Sequence, residues 1–332
     1  MKSKLLLLGG LLGVAACNEP YSNEDLLFLK ALPPELQVEL PGATATTTSS
    51  IGTGVCAAPS PDFTPAKFYC DANKAASDIN AVLDTVLNLV GSIAAFPPTT
   101  RDTDLRIWGP FPIENGLEAA LSIERIRTST GATVRYTGSS EPALVYERFR
   151  FAISARKQGE GEWKGLVYGE SAPTGESGTR MGWLALDFDA QRALDPSKTE
   201  MGAIGIAYDT RGGKTILNVY ADVARYTPMF DPEAAYFYEA PGDGSGTFLF
   251  FSRANVIETT EALETMWIQV RWRPDLRGRA DVVVRDGDAA AQEINVGQCW
   301  DPTFAPVFQY AFPETDDFPN FGPVSACGPE LQ

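Results

Sequence analysis

Apolar residues recur with helical spacing in one segment near the start of the folded part of the chain. The spacing predicts an amphipathic helix over residues 71–95, with Asp71 as its N-cap and Pro97-Pro98 as its stop. The apolar stripe of this helix consists of Ala76, Ile79, Val82, Leu83, Val86, Val90 and Ile93. Such a stripe must pack on another apolar surface, and we expect a sheet to supply it.

Further along the chain, apolar and polar residues alternate, which indicates strands between residues 117 and 285. The alternation is clearest over 143–156, 182–189, 215–224 and 266–273, and it is less regular over 117–127, 132–137, 163–170, 202–209, 247–256 and 279–285. Strands with one apolar and one polar face are typical of an antiparallel sheet with one side in water. We therefore predict a mainly β fold with about ten strands. The strands form a long antiparallel meander, curved into a half-barrel or barrel-like sheet that packs on the helix.

The first residues have the pattern of an export signal. Lys2 and Lys4 precede an apolar run that is too short to remain in a bilayer as a helix and that ends at Cys17. We therefore assign residues 1–16 to a signal peptide. The small residues before Cys17 and the polar pair after it resemble the lipobox of bacterial lipoproteins. This resemblance implies that Cys17 carries acyl chains such as palmitate, and Asn18 in place of Asp favours the outer membrane, on a face that the sequence does not assign.

Between the signal and the folded part, residues 17–55 predict a flexible tether with a short apolar patch at 26–32. A wholly flexible segment of this length would hold the protein roughly 30–35 Å from the membrane. The remainder, residues 56–332, predicts a single β-rich domain. Its last part, residues 287–332, is rich in proline, phenylalanine and acidic residues, and it predicts an irregular cover held by a disulfide.

Four cysteines remain beside Cys17, and an exported chain keeps such thiols as disulfides. Four cysteines allow three pairings. We favour the two local pairs, Cys56–Cys70 and Cys299–Cys327, because each closes a short loop that stabilises the fold by roughly 3–4 kcal/mol.

Charge and composition exclude several classes of function. The formal charge is −16, and without residues 1–16 the chain loses two of its 27 basic and none of its 43 acidic residues and reaches −18. We therefore expect no nucleic-acid partner. There is no histidine, which removes histidine-assisted nucleophiles and most catalytic zinc sites. The phosphate-binding and G-x-S-x-G motifs are also absent from the sequence, and we expect no cofactor, metal or catalytic residue.

Two sets of side chains remain as candidate sites. The acidic pairs Asp187/Asp189, Asp286/Asp288 and Asp316/Asp317 could serve as general acid and base, although we expect turn and surface roles for them. An aromatic and basic surface is the candidate ligand site, and the alternative is that its members form cross-strand pairs. Its members are Trp267, Arg271, Arg273, Arg148 and Arg150.

Six short segments together resemble a family of uncharacterised bacterial lipoproteins of the myxobacterial type. The resemblance spans roughly residues 70–327 and implies a location without implying an activity, ligand or catalytic residue. The segments are Pro97–Arg101, Trp108–Phe111, Leu186–Asp189, Asp243–Phe248, Gly278–Asp281 and Cys299–Phe304.

We therefore expect an envelope lipoprotein that is held to the membrane by its N-terminal lipid, is not an enzyme, and binds or scaffolds a protein partner. The first alternative is a carrier of an apolar ligand or lipid, which needs a cavity of ~300–1,000 Å³. The second is a hydrolase that acts on carbohydrate through two converging carboxylates. A scaffold would instead show an exposed apolar or aromatic patch.

Overall fold

The structure is a computed structural model, and it describes residues 21–34, 36–41, 56, 64–126, 147–173, 180–225, 233–255, 257, 260–314 and 318–331. Within these residues, fourteen strands form one antiparallel sheet in which each strand pairs with the next in sequence. The strands are β1 (Thr100–Arg101), β2 (Leu105–Ile113), β3 (Leu117–Ile126), β4 (Arg148–Lys157), β5 (Lys164–Pro173), β6 (Arg180–Asp187), β7 (Glu200–Asp209), β8 (Thr215–Arg225), β9 (Glu233–Ala240), β10 (Gly246–Ala254), β11 (Glu264–Trp272), β12 (Gly278–Arg285), β13 (Ile294–Trp300) and β14 (Pro306–Phe312).

The prediction of a mainly β fold built as an antiparallel meander with a helix packed on it is confirmed. β4 shows why the alternating pattern was informative. Phe149, Phe151 and Ile153 are fully buried, whereas Arg148 and Arg150, which alternate with them, point to the other face. Below, "inner face" means the side of the sheet that carries the buried apolar residues, and "outer face" means the opposite side.

The long helix is α2 (Lys67–Ala94), which begins four residues earlier than the sequence predicted. All members of its predicted stripe are buried except Val82, which is half-buried. Asp71 is not the N-cap, because it lies inside the helix and pairs with Lys67 at 2.6 Å. Instead, the side-chain oxygen of Gln298 on β13 accepts a hydrogen bond from the backbone N–H of Phe68 at 3.2 Å. This partner from the sheet satisfies a first-turn N–H group and lets the helix start earlier.

The described residues belong to two compact units. The first comprises the described parts of Met1–Leu36 and Leu83–Gly212, and the second those of Gln37–Val82 and Gly213–Gln332. The first unit therefore holds β1 to β7 and the short helices α1 (Asn23–Leu29) and α3 (Phe188–Leu194), and the second holds β8 to β14.

Residues 21–41, which the sequence assigned to a flexible tether, are packed in the structure wherever they are described. In the first unit, α1 carries a capping box at Ser22, and Phe28, Ala31 and Leu36 are fully buried. In the second unit, the side-chain amide of Asn80 exchanges two hydrogen bonds with the backbone of Val38, at 2.7 and 2.9 Å. The tether prediction is therefore wrong for this segment, while the rest of residues 17–55 lies outside the described residues.

The second unit has a repeated inner-face arrangement in which a tryptophan ring covers a glycine of the neighbouring strand. Trp272 lies opposite Gly246, and Trp300 lies opposite Gly278. A Cβ atom added to either glycine would collide with the tryptophan ring. These glycines are therefore required by packing, since they make room for the largest side chains of the inner face.

The C-terminal segment was predicted to be irregular, and this is wrong for its first half. It contains β13 and β14, and the described residues after β14 form isolated bridges at Phe318 and Phe321. The sequence also missed β2 and β9, while its predicted strand at 132–137 lies outside the described residues. Both favoured disulfides are formed, Cys56–Cys70 and Cys299–Cys327. They indicate an oxidising, extracytoplasmic compartment.

Candidate functional site

The arginines that the sequence offered as a ligand surface are held in ion pairs. On β4 of the first unit, Arg148 and Arg150 both pair with Glu170 of β5, and the second of these distances is 3.2 Å. Arg150 also approaches Glu124 of β3 at 3.7 Å. These contacts follow directly from the strand register, in which Glu124, Arg150 and Glu170 are cross-strand neighbours. The cross-strand alternative therefore describes this pair better than a binding surface does.

Arg271 and Arg273 of the second unit are also held in ion pairs. Arg271 pairs with Asp281 at 3.2 Å, and Asp281 also accepts two close contacts from Arg279, at 2.6 and 2.7 Å. Arg273 reaches Glu330 at 3.3 Å. The charges of Arg271 and Arg273 are thus balanced by neighbouring carboxylates.

Trp267, the remaining member of the predicted surface, lies in a row of side chains on the outer face. The row follows the cross-strand register over seven strands, and four of its members are aromatic. The ring centroids of Phe251 and Trp267 are 4.6 Å apart, and the residues at the two ends are half exposed, Tyr220 at 51% and Phe312 at 52%. In strand order the row consists of Tyr220, Ala235, Phe251, Trp267, Val283, Asn295 and Phe312.

A second row lies beside the first, two residues along each strand. It contains the aromatic residues Phe237 and Tyr310, of which Tyr310 is 47% exposed. In strand order it consists of Asn218, Phe237, Leu249, Gln269, Asp281, Gly297 and Tyr310. We call these two rows together the aromatic platform.

The C-terminal segment borders the platform. Cys299 is the outer-face residue next to Gly297 on β13, and its disulfide with Cys327 fixes the last residues of the chain on that face. Leu331 packs in the same buried cluster, and its carbonyl oxygen accepts a hydrogen bond from Arg279 at 3.0 Å. The C-terminal segment therefore lies next to the platform on the outer face, and we call it the border of the platform.

The platform could not be assembled from the sequence, although one signal pointed to it. β10 contains the unbroken apolar run Phe248–Phe251, and β9 contains Tyr236, Phe237 and Tyr238 in succession. Such runs place aromatic residues on both faces of a sheet whose other strands alternate. Phe248 and Tyr238 fill the inner face, which leaves Phe251 and Phe237 on the outer face.

Two described members of the acidic pairs, Asp187 and Asp288, have structural roles. Asp187 caps α3 by accepting a hydrogen bond from the backbone N–H of Ala190 at 2.8 Å. Asp288 accepts two hydrogen bonds from Thr260, at 2.7 and 2.8 Å. Asp316 and Asp317 lie outside the described residues. Across the described ranges there is no cluster of three or more Cys, Asp or Glu residues that could hold a metal ion.

The buried carboxylates also serve the fold. Glu264 is fully buried and accepts hydrogen bonds from the backbone N–H groups of Asp288 and Ile257, at 2.9 and 3.0 Å. Asp25 is fully buried against Arg106 and Arg101, at 2.8 and 3.1 Å.

Burial by itself raises the pKa of Asp25. The hydrogen bonds from the Ser22 backbone, Arg106, the Ser22 hydroxyl and Arg101 outweigh it and lower the pKa to about 2. Asp25 and Glu264 are therefore both fully buried and engaged within the fold.

Together, fold and site define a mainly β, disulfide-bonded protein with an aromatic surface on the outer face of its second unit. Comparison of the chain with protein-family models, with curated proteins and with solved structures finds no match. The resemblance to myxobacterial lipoproteins therefore stays a prediction. No helix in the described part of the chain has the length and apolar character needed to span a membrane.

Proposed function

We propose that this protein is a lipid-anchored envelope protein that binds a partner on its aromatic platform and carries out no chemistry on it. The observation that carries the proposal is the platform itself. Six of its seven strands place an aromatic or aliphatic side chain in two adjacent rows on the outer face, and β13 places Asn295 and Gly297 there. A sheet face in water usually carries polar side chains, and exposed apolar side chains grouped on such a face are typical of an interaction site.

The anchor is the second part of the proposal. Cys17 lies outside the described residues, and its lipidation rests on the lipobox pattern. The oxidising compartment indicated by the two disulfides agrees with export, as a lipoprotein requires. An outer-membrane location rests on the residue after the cysteine, Asn18.

The packed N-terminal segment changes the geometry of such an anchor. The hydroxyl of Tyr21 donates a hydrogen bond to the carbonyl oxygen of Ala94 at 2.6 Å, so the chain is fixed to the first unit at this point. Only three residues separate Cys17 from Tyr21, and they span at most about 14 Å when fully extended. A lipid on Cys17 would therefore hold the first unit close to the bilayer, where the sequence alone had suggested a long tether.

A photo-crosslinking amino acid placed at Tyr220 tests the binding role in cells that export the protein. The matched control places the same group at Tyr168, which is 41% exposed on the outer face of the first unit. The proposal expects a crosslinked species from position 220 and none from position 168. Equal crosslinking at both positions, or none at either, would contradict it.

The anchor is tested by labelling the same cells with radioactive palmitate. The proposal expects label on the wild-type chain in the membrane fraction and none on the Cys17→Ser variant. The carrier and hydrolase alternatives stay predictions, and within the described residues no contact favours either over the binding role.

A further inference from the structure

We propose that the ligand of the aromatic platform is an uncharged, linear polysaccharide. This inference rests on the proposed binding function and adds the chemical class of the partner. It is drawn from the shape of the platform, from the free amide groups on it and from the charge around it.

The side chains of the platform combine the two kinds of contact that a sugar needs. A pyranose ring has faces lined with C–H groups that pack on aromatic rings, and edges lined with hydroxyls that need hydrogen-bond partners. Tyr220, Phe312 and Tyr310 offer half-exposed rings. Asn218 and Gln269 project from the second row, and both are exposed.

These two amides are available for a ligand. No hydrogen bond joins the side chain of Asn218 or Gln269 to another described residue, whereas the neighbouring Asp281 is engaged by Arg271 and Arg279. An amide side chain both donates and accepts hydrogen bonds, and it therefore suits a hydroxyl group, which does the same.

The dimensions of the platform favour a chain of sugars over a single one. Six strand spacings separate Tyr220 from Phe312. At ~4.8 Å each they give a length of about 29 Å. The platform is only two rows wide, or roughly 14 Å at ~7 Å per row. A long, narrow strip of this kind matches an extended polymer.

The same dimensions disfavour a second copy of the chain. The strip offers roughly 400 Å², about half of the 800 Å² that each partner contributes to a standard protein interface. Strand addition at the neighbouring edge is also restricted. β14 already has a partner there, since Gln309 and Phe321 exchange backbone hydrogen bonds of 2.9 and 3.0 Å.

Charge selects an uncharged polymer. The chain as a whole carries −16, which repels a polyanion. Arg285 contacts the Trp267 ring at 5.9 Å, whereas Arg271 and Arg279 do not offset this repulsion, because they share the carboxylate of Asp281. A polyanion would have to compete with this carboxylate for both of them.

The test is a titration of the full-length chain, purified in detergent, with linear hexasaccharides measured by calorimetry. The probes are an array of uncharged hexasaccharides of glucose, mannose and N-acetylglucosamine, with oligogalacturonate as the anionic probe. We expect saturable binding of at least one uncharged probe and weaker binding of oligogalacturonate.

The double variant Tyr220→Ala/Phe312→Ala should weaken that binding by about tenfold or more, because both rings lie on the platform and are half exposed. The matched control is Tyr168→Ala/Trp183→Ala, which removes two similarly exposed rings from the first unit and should leave the affinity unchanged. The variant Gln269→Ala should weaken binding while it leaves the rings in place.

The inference is overturned if no uncharged hexasaccharide binds, if oligogalacturonate binds more tightly, or if both double variants weaken binding equally. Its failure is distinguishable from that of the proposed function. A protein crosslinked at position 220 together with no glycan binding would keep the binding role and overturn the glycan. The absence of any crosslinked species at that position would count against the binding role itself.

Discussion

The two units share one strand pattern and differ in what their outer faces carry. In the first unit, one outer row consists of Ser122, Ala152, Tyr168, Ala185 and Gly205, and the next contains the ion-paired residues Glu124, Arg150 and Glu170. Its exposed aromatic pair, Tyr168 and Trp183, sits diagonally across one strand pair with centroids 6.0 Å apart. In the second unit, β8, β9, β10, β11 and β14 each place an aromatic residue on the outer face. The first arrangement is usual for a solvated sheet, and the second is the one on which we base the proposed binding role.

The terminal segments of the chain are also held in different ways. In the first unit, buried ion pairs of Asp25 hold α1, and the Phe28 ring lies under Arg106 and Arg125, at 4.6 and 5.1 Å. In the second unit, a disulfide holds the C-terminal segment. The attachment of α1 depends on charge, and that of the C-terminal segment depends on a covalent bond. Substitution of Asp25 should therefore release α1, and substitution of Cys299 and Cys327 should release the C-terminal segment.

The largest effect is expected from Asp25→Ala. The substitution leaves Arg106, which is 4% exposed, without its buried partner, and we expect a loss of about 3–5 kcal/mol in the free energy of unfolding. Urea unfolding measures the loss, and limited proteolysis should show new cleavage within residues 21–41. Glu24→Ala is the control, because Glu24 contacts Arg106 at 3.2 Å from an exposed position and should cost less than about 1 kcal/mol. Equal costs for the two variants would contradict the ionic attachment.

The double substitution Cys299→Ala/Cys327→Ala should come next, with a cost of about 3–4 kcal/mol from the opened loop. Hydrogen exchange should then increase in residues 318–331, while residues 21–34 stay protected. If exchange rises equally in both segments, the terminal attachments are not independent.

Gly278→Ala should cost about 1–3 kcal/mol, because the new methyl group collides with the Trp300 ring. The control is Gly205→Ala in the first unit, where a Cβ atom meets nothing within 4 Å and the expected change is within about 0.5 kcal/mol. Thermal unfolding of the two variants checks this. Similar destabilisation by both would contradict the packing role assigned to the glycine.

Acid should reduce the contribution of Asp25 to the free energy of unfolding, by about 2 kcal/mol or less. The pKa of Asp25 is lowered to about 2 in the folded protein from an ordinary value of 3.8. Its contribution to stability is therefore present above pH 3.8 and is lost as the pH falls through about 2. Urea unfolding of wild type and Asp25→Asn between pH 5 and pH 2 isolates this contribution. The stability difference between them should shrink toward pH 2, and a constant difference would contradict the low pKa.

Sequence patterns predicted the elements that alternate or repeat regularly. β4 and α2 follow from periodicity, whereas β2 was missed because Gly109 and Pro110 interrupt it and a register shift lies between Trp108 and Phe111. β9 was missed because consecutive apolar residues hide its period. The attachment of α1 through Asp25 could not be predicted from local sequence patterns, because the partners Arg101 and Arg106 lie 76 and 81 residues further along the chain.

Only part of the aromatic platform could be predicted from the sequence. Trp267 was identified from its own strand, but its neighbours Tyr220 and Phe312 join it only through the pairing of seven strands. Periodicity within one strand reports which face a residue occupies and carries no information about register between strands.

The proposed binding role implies that the outer face of the second unit is covered in the envelope, whereas that of the first unit is not. Hydroxyl-radical labelling read by mass spectrometry can compare the two faces in intact envelopes and in purified protein. We predict that Tyr220, Tyr310 and Phe312 are oxidised less in envelopes than in purified protein, while Tyr168 and Trp183 are oxidised equally in both. Equal oxidation of all five residues in the two samples, or protection of Tyr168 and Trp183 alone, would contradict the claim.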